Sequence, residues 1–190
     1  MEPTVDVSVP VASGLTYADL LAYPENDGLR RELIDGELFV SAAPSTRHGW
    51  ASLQLAVALV EYTREHGGIV FHAPTDVFFS DETVLEPDVL LVTAENVERV
   101  EDPFVRGAPD LVVEVASPST RRYDLVRKRR VYEREGVAEF WFVDIESERV
   151  EIYRAGPDGF SGPSVVEREG ELTTSLLPGF TLGVAQLLRD

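Results

Sequence analysis

No cysteine occurs in the 190 residues, which removes a disulfide framework, thiolate-bound zinc and a cysteine nucleophile together. Any metal would have to rest on oxygen and nitrogen donors. Lysine is nearly absent as well: of 17 basic residues all but Lys128 are arginine. Arginine is permanently charged and planar, whereas lysine is a compact donor whose pKa can move. The solitary ammonium therefore invites a role, against the alternative that an arginine-biased composition simply left one lysine. No apolar run approaches the ~20 residues of a membrane span, and Met1 to Gly14 lacks a basic stretch followed by a long apolar one. This predicts a cytoplasmic protein with no membrane partner. The Gly-x-Ser-x-Gly elbow of a serine hydrolase is missing too. Positive charge is scarce, with 34 acids giving a formal net charge of -17, the reverse of a nucleic-acid-binding footprint. Arg121, Arg122, Arg127, Lys128, Arg129 and Arg130 are the local exception. Such a cluster either neutralises phosphates or coats a solvated helix face.

Length and an apolar share of 44% predict one globular domain, residues 15–190, preceded by a loose arm, 1–14, rich in Val, Pro and Ser. Thr16, with Asp19 three residues on, reads as the cap of a short helix. Asp35-Gly36 between two apolar stretches predicts a hairpin. Ser45 or Thr46 opens a long helix whose apolar contacts are expected at Trp50, Leu53, Val57 and Val60 and which Gly67-Gly68 stops. Extended segments follow at Ile69 to Phe79 and Glu86 to Val92, then a loop at Pro103 to Pro109. Asp110 to Ala116 reads as a buried strand bounded by Ser117-Pro118-Ser119. Asp124 to Glu135 predicts a third helix, ended by Gly136, and 139–144 with 149–154 an antiparallel strand pair. The remainder reads as a strand or two and a short terminal helix. Without internal repeats or linkers, these elements are expected to share one mixed α/β sheet with helices against it.

Two acids lie where the pattern asks for burial: Asp88 opens the apolar run Asp88 to Val92, and Glu114 sits inside Leu111 to Val115. Buried carboxylates are costly unless paired or metal-bound. Meeting on one face of neighbouring strands, they could hold Mg²⁺ or Mn²⁺ through oxygen. The alternative for each is a strand-end acid facing solvent. In the third helix Asp124, Leu125, Lys128, Val131 and Tyr132 fall along one stripe, directing Lys128 inward. An ammonium aimed at two carboxylates can offset their repulsion, orient water and stabilise charge on a phosphate oxygen. Asp124 with Lys128 is equally readable as an ordinary helix ion pair.

These residues carry a resemblance. Pro87-Asp88 followed by Glu114 looks like the PD-(D/E)XK nuclease superfamily. More specifically, the runs 31–37, 109–120 and 136–144, together with Asp124, Lys128 and Tyr132, resemble the Uma-two family of restriction endonuclease-like proteins over roughly residues 15–155. The resemblance implies a restriction endonuclease-like fold (α/β, α+β): a mixed central sheet flanked by helices, with an N-terminal hairpin and C-terminal antiparallel strands. It implies a metal-dependent endonuclease acting on DNA as a homodimer, with Asp88 and Glu114 as metal ligands and Glu32 as a further catalytic acid. One departure is clear: the superfamily's lysine two residues after the strand glutamate is here Ala116, and Lys128 of the following helix stands in for it. His48 matches a family position and, with Arg121, Arg122, Asp124 and Arg127, is a candidate for substrate contact; an ordinary helix-end histidine is the alternative. A catalytically inactive, dimeric binding or regulatory module on the same fold is the competing functional reading, favoured by the net charge and by Ala116.

Overall fold

A computed structural model describes residues 9–24, 27–117 and 120–188. Residues 1–8 of the expected arm, and Pro118-Ser119 of the expected strand boundary, lie outside the described residues. The rest of the arm is tied to the domain where the Val11 N–H donates to the Leu38 carbonyl at 2.8 Å and Ala12 accepts from Leu38 at 2.8 Å.

The short helix α1 (Tyr17–Leu20) begins as expected, the Thr16 N–H donating to Asp19 Oδ2 at 2.8 Å. Strands β1 (Leu29–Ile34) and β2 (Glu37–Ala42) form the hairpin. Asp35 and Gly36 both take positive φ, 51° and 75°, the turn whose twist matches an antiparallel pair. Helix α2 (Thr46–His66) is capped by Ser45, whose hydroxyl accepts the His48 N–H, and ends at Gly67 with φ 79°. Its buried face differs from the expected one: Ala51, Ser52, Leu55, Ala56 and Leu59 turn inward, while Trp50, Leu53 and Val57 remain 37%, 49% and 45% exposed. Small residues on the inner face let the helix approach the sheet closely, so the larger apolar side chains mark the wrong side.

The expected single mixed sheet is instead two. One has the order β2-β1-β5-β4-β7, the other β11-β10-β9-β8-β6-β3, and a separate pair joins β12 to β13. The segment expected at 69–79 is divided at Ala73-Pro74 into β3 (Ile69–His72) and β4 (Val77–Ser80), which enter different sheets. In the same way Glu86-Pro87-Asp88 separates β5 (Thr83–Leu85) from β6 (Val89–Val92). Proline lacks the N–H a ladder requires, so both crossings fall at one. The short β7 (Val105–Arg106) lies in the expected loop and runs parallel to β4. Strand β8 (Leu111–Val115) pairs antiparallel with β6 and parallel with β9 (Glu139–Asp144); β10 (Arg149–Gly156) and β11 (Gly159–Glu167) extend the sheet antiparallel. The tail contributes β12 (Glu171–Leu172), β13 (Leu182–Gly183) and a 3₁₀ turn at Val184–Leu187.

The larger sheet is covered on both faces. Val113, Val115, Trp141 and Val143 meet the inner face of α2 and the C-terminal segment. On the other face Val112, Phe140 and Phe142 meet Phe39, Leu85, Tyr123 and Tyr132. The aromatic residues of 139–154 are therefore core: Phe140, Trp141 and Phe142 are fully buried. No helix among the described residues is long and apolar enough to cross a membrane.

The reassigned face of α2 is testable by urea unfolding. Leu55→Ala is expected to cost ~2–5 kcal/mol, and Leu53→Ala less than about 0.5 kcal/mol; equal losses would place both side chains in the core.

Candidate active site

Strand alternation puts Val112 and Glu114 on the face of β8 opposite Val113, and so against the third helix rather than α2. The antiparallel register of β6 with β8 pairs Val89 with Val113; one step further sets Asp88 beside Glu114. Asp88 Oδ2 accepts the Val115 N–H at 2.8 Å, which fixes it against the end of that strand. Along β1 the same alternation turns Arg30 and Glu32 to one side and leaves Leu33 in a separate apolar cluster.

The third helix is not regular where it reaches the site. Tyr123–Lys128 forms a π turn, in which the Arg129 N–H donates to the carbonyl of Asp124, and runs directly into α3 (Arg129–Glu135), capped by Gly136 at φ 88°. The wider turn accommodates one more residue than an α-helix would. Tyr123, Asp124 and Lys128 are all buried by it.

These elements meet around a cavity of about 250 Å³, whose lining includes Glu32, His48, Asp88, Glu114, Asp124 and Lys128. Lys128 is 1% exposed. Its Nζ lies 2.8 Å from Glu32 Oε1, 3.0 Å from Glu114 Oε1 and 3.7 Å from Asp124 Oδ1. Glu32 Oε1 also accepts the Glu86 N–H at 2.9 Å, and Glu114 Oε1 the Tyr132 hydroxyl at 2.5 Å. Arg30 reaches Asp88 Oδ1 at 2.9 Å and Glu86 at 2.7 Å, and His48 Nε2 is 3.0 Å from Asp88 Oδ2. Asp124 with Lys128 is thus more than a surface helix pair, because both side chains lie in the same buried network.

Burial opposes ionisation of Asp88, but the hydrogen bond from His48 and the charges of Arg30 and Lys128 outweigh it and hold its carboxyl well below the usual range. The other acids go the opposite way. Burial lifts Glu114 far above its ordinary value, with Lys128 opposing and Asp124, Asp88 and Glu32 reinforcing the rise. Burial also pushes Asp124 up to about 6 and Glu86 up to about 7, against the pull of Lys128 and Arg30 respectively. Burial works against charge on Lys128, yet Glu114, Glu32 and Asp124 prevail and keep it an ammonium well above its normal range.

Five carboxyls, Glu32, Glu114 and Asp124 around Lys128 and Asp88 and Glu86 around Arg30, leave the site short of positive charge. One buried polar atom of a lining residue, His48 Nδ1, has no hydrogen-bond partner among the described residues. Nε2 is the nitrogen beside Asp88, so Nδ1 is the ring atom left without a partner among the described residues. An oxygen-rich, anionic cavity with an unused nitrogen fits a hard divalent cation in donor type. It is not a preformed chelate: among the described residues no cluster of three or more His, Asp or Glu is spaced to hold an ion, and Arg30, His48 and the Val115 N–H engage both oxygens of Asp88.

The cavity therefore unites Asp88, Glu114, Lys128, Glu32, His48 and Asp124. Arg121, Arg122 and Arg127 do not line it. Arg121 pairs with Asp144, and Arg127 pairs with Glu37 at 2.8 Å while covering the Phe39 ring. Arg122 points to a groove on the outer side of the helix. Arg30, Glu86 and Tyr123 escaped the sequence reading of the site, and Tyr132, placed there on the Lys128 stripe, was given no site role. Arg30 was accessible to it in principle, standing two residues before Glu32 on the same strand face.

The fold is that of a restriction endonuclease-like protein: a mixed α+β arrangement in which a hairpin layer and helices enclose a central mixed sheet. It matches, with a TM-score of 0.75 at 18% identity, the crystal structure of an Anabaena variabilis protein described as a "putative nuclease belonging to DUF820", covering 91% of this chain and 97% of that one. Residues 17–185 match the Uma2 family, described as "Putative restriction endonuclease", and the chain belongs to that family. An uncharacterized protein of Synechocystis sp. is 27% identical over 149 residues, 76% of each chain.

Removing the ammonium exposes the cost of the cluster. Lys128→Met leaves buried carboxylates unpaired, and thermal or urea unfolding at pH 8 should show a loss of ~3–5 kcal/mol. The loss should shrink at pH 5. Asp124 already has a folded pKa above its unfolded one, so it costs stability as pH rises through about 6 and regains it on protonation, and Glu114, raised by burial, moves the same way. A pH-independent loss would assign Lys128 a packing role alone.

Proposed function

We propose that this protein is a divalent-metal-dependent endonuclease that hydrolyses phosphodiester bonds of DNA. One observation carries the reading: Asp88 and Glu114 meet on adjacent strands at a cavity wall, with the sole lysine 3.0 Å from Glu114. Membership of a family described as restriction endonuclease, and the fold shared with a protein described as a nuclease, support it.

Asp88 and Glu114 would hold Mg²⁺ or Mn²⁺, which when bound supplies Lewis acidity towards a phosphate oxygen and towards water. The remaining work falls to the chain. Lys128, held as an ammonium, cannot take the proton of the attacking water; it stabilises negative charge growing on the phosphate as the water oxygen bonds to phosphorus and the ester oxygen leaves. Asp124, titrating at about 6, is the cavity carboxyl suited to accept that proton. Glu32 fixes the position of Lys128, and His48 and Arg30 fix Asp88. Arg30, now on Asp88 Oδ1 at 2.9 Å, would share that carboxylate with the cation.

The engagement of both Asp88 oxygens by protein groups favours a second reading, a nuclease-fold binding or regulatory module without catalysis. Supercoiled plasmid separates the two. The nuclease reading expects cleavage with Mn²⁺ or Mg²⁺ that Asp88→Asn and Glu114→Gln reduce at least a hundredfold, and a calorimetric Mn²⁺ signal that Asp88→Asn removes. Cleavage retained in both variants sinks the assignment, and no metal heat in the parent protein supports the module. A homodimer is part of the proposal, twofold pairs being the commonest oligomers; light scattering should return twice the 21.0 kDa chain mass.

A further inference from the structure

The helix that supplies Lys128 to the cavity carries a second kind of chemistry on its outer side. Arg122, Arg127, Arg130 and Arg134 line one groove of about 550 Å³ between this helix and the turn of the β1–β2 hairpin, over a floor that includes Val131. A quarter of the chain's arginines are thus gathered on a molecule with net charge -17. Two are held across the groove by hairpin acids, Arg127 to Glu37 at 2.8 Å and Arg134 to Asp35 at 3.0 Å. Arg122 and Arg130 are exposed and pair with no carboxylate among the described residues. The groove starts beside Tyr123 and Asp124, which line the cavity, and follows the helix away from it.

We propose that this groove binds the phosphate backbone of DNA on one side of the cavity, and that Asp35 and Glu37 occupy its arginines in the free protein as stand-ins for phosphate. The choice of DNA rests on the nuclease reading; the anion-binding character rests on the arginines alone. From Arg122 to Arg134 the helix advances by at most about 18 Å, a length that lies beside at most about five phosphates of one strand. Guanidinium groups present paired donors to phosphate oxygens in the geometry they present to carboxylates. That is why the same side chains can exchange Asp35 and Glu37 for a ligand. An acidic protein surface overall repels DNA, so a concentrated strip is what selects where a duplex can touch. The two hairpin acids then set the strength of that contact, since each phosphate must displace a carboxylate already in place.

The test is fluorescence anisotropy with a short labelled duplex in EDTA, where cleavage cannot contribute, across a range of salt. Arg122 and Arg130 sit outside the core and can be replaced together without disturbing it. Arg122→Ala with Arg130→Ala should lower the slope of log affinity against log salt by about 1.8, two phosphate contacts at about 0.9 each. Asp35→Asn with Glu37→Gln should tighten binding several-fold. An unchanged slope in the first variant, or weaker binding in the second, overturns the proposal; an unchanged slope accompanied by lost binding of polyglutamate points to an acidic protein instead and likewise overturns it. Duplex binding with the expected slopes but no metal-dependent cleavage would refute the nuclease reading and leave the groove standing, whereas cleavage with unaltered slopes would do the reverse.

Discussion

The fold turns on one buried ammonium. Lys128 is drawn between Glu32 of the hairpin sheet, Glu114 of the larger sheet and Asp124 of its own π turn. None of these acids could be buried as cheaply without it, because a desolvated carboxylate lacking a partner costs several kcal/mol. Three elements, also joined pairwise by Arg30 to Asp88, Tyr132 to Glu114 and Arg127 to Glu37, are thereby bound to a single atom. Apolar packing supplies the bulk stability, with Val112, Phe140 and Phe142 of the sheet against Tyr123 and Tyr132 of the helix, but it would tolerate small rotations of one layer over another. The charged cluster tolerates far less.

The connection between the sheets reinforces this. Only Glu86, Pro87 and Asp88 lead from β5 into β6, and both acids bond to Arg30 of β1. The crossing is therefore cross-braced by a residue of β1, the strand that pairs with β5.

Much of this was legible in the sequence and some was not, for identifiable reasons. A charged residue inside an apolar strand, as at Glu114, signals a partner wherever it occurs, and the inward stripe of Lys128 follows from helix geometry alone. The hairpin was legible because Asp35-Gly36 solves a local backbone problem. The buried face of α2 was misread because Leu55 and Leu59 share it with Ala51, Ser52 and Ala56, which a hydrophobic pattern barely registers, while Trp50, Leu53 and Val57 advertise the opposite face. The division into two sheets depends on which strand each segment joins after a proline, a long-range choice with no local mark. Arg30 shares a strand face with Glu32, a local mark, but its pairing with Asp88, 58 residues away, has none. The basic cluster at 121–130 looked uniform, yet the structure sorts it into Arg121 against Asp144, Lys128 in the cavity and a row of arginines outside.

That sorting depends on chain length as much as on residue type. The π turn at Tyr123–Lys128 takes up one residue more than a regular helix would, and each residue of an α-helix advances the azimuth by about 100°. Everything beyond it, including the outer arginine row, is phased by that surplus residue. Were the same residues wound as a regular α-helix, the row would swing by about a quarter of a revolution relative to Tyr123 and Asp124, and carry an arginine towards the place now held by the ammonium. The segment behaves as a gauge block: it can accept changes of side chain on its exposed side, but its winding is fixed by the need to present one cation inward and several outward from the same helix.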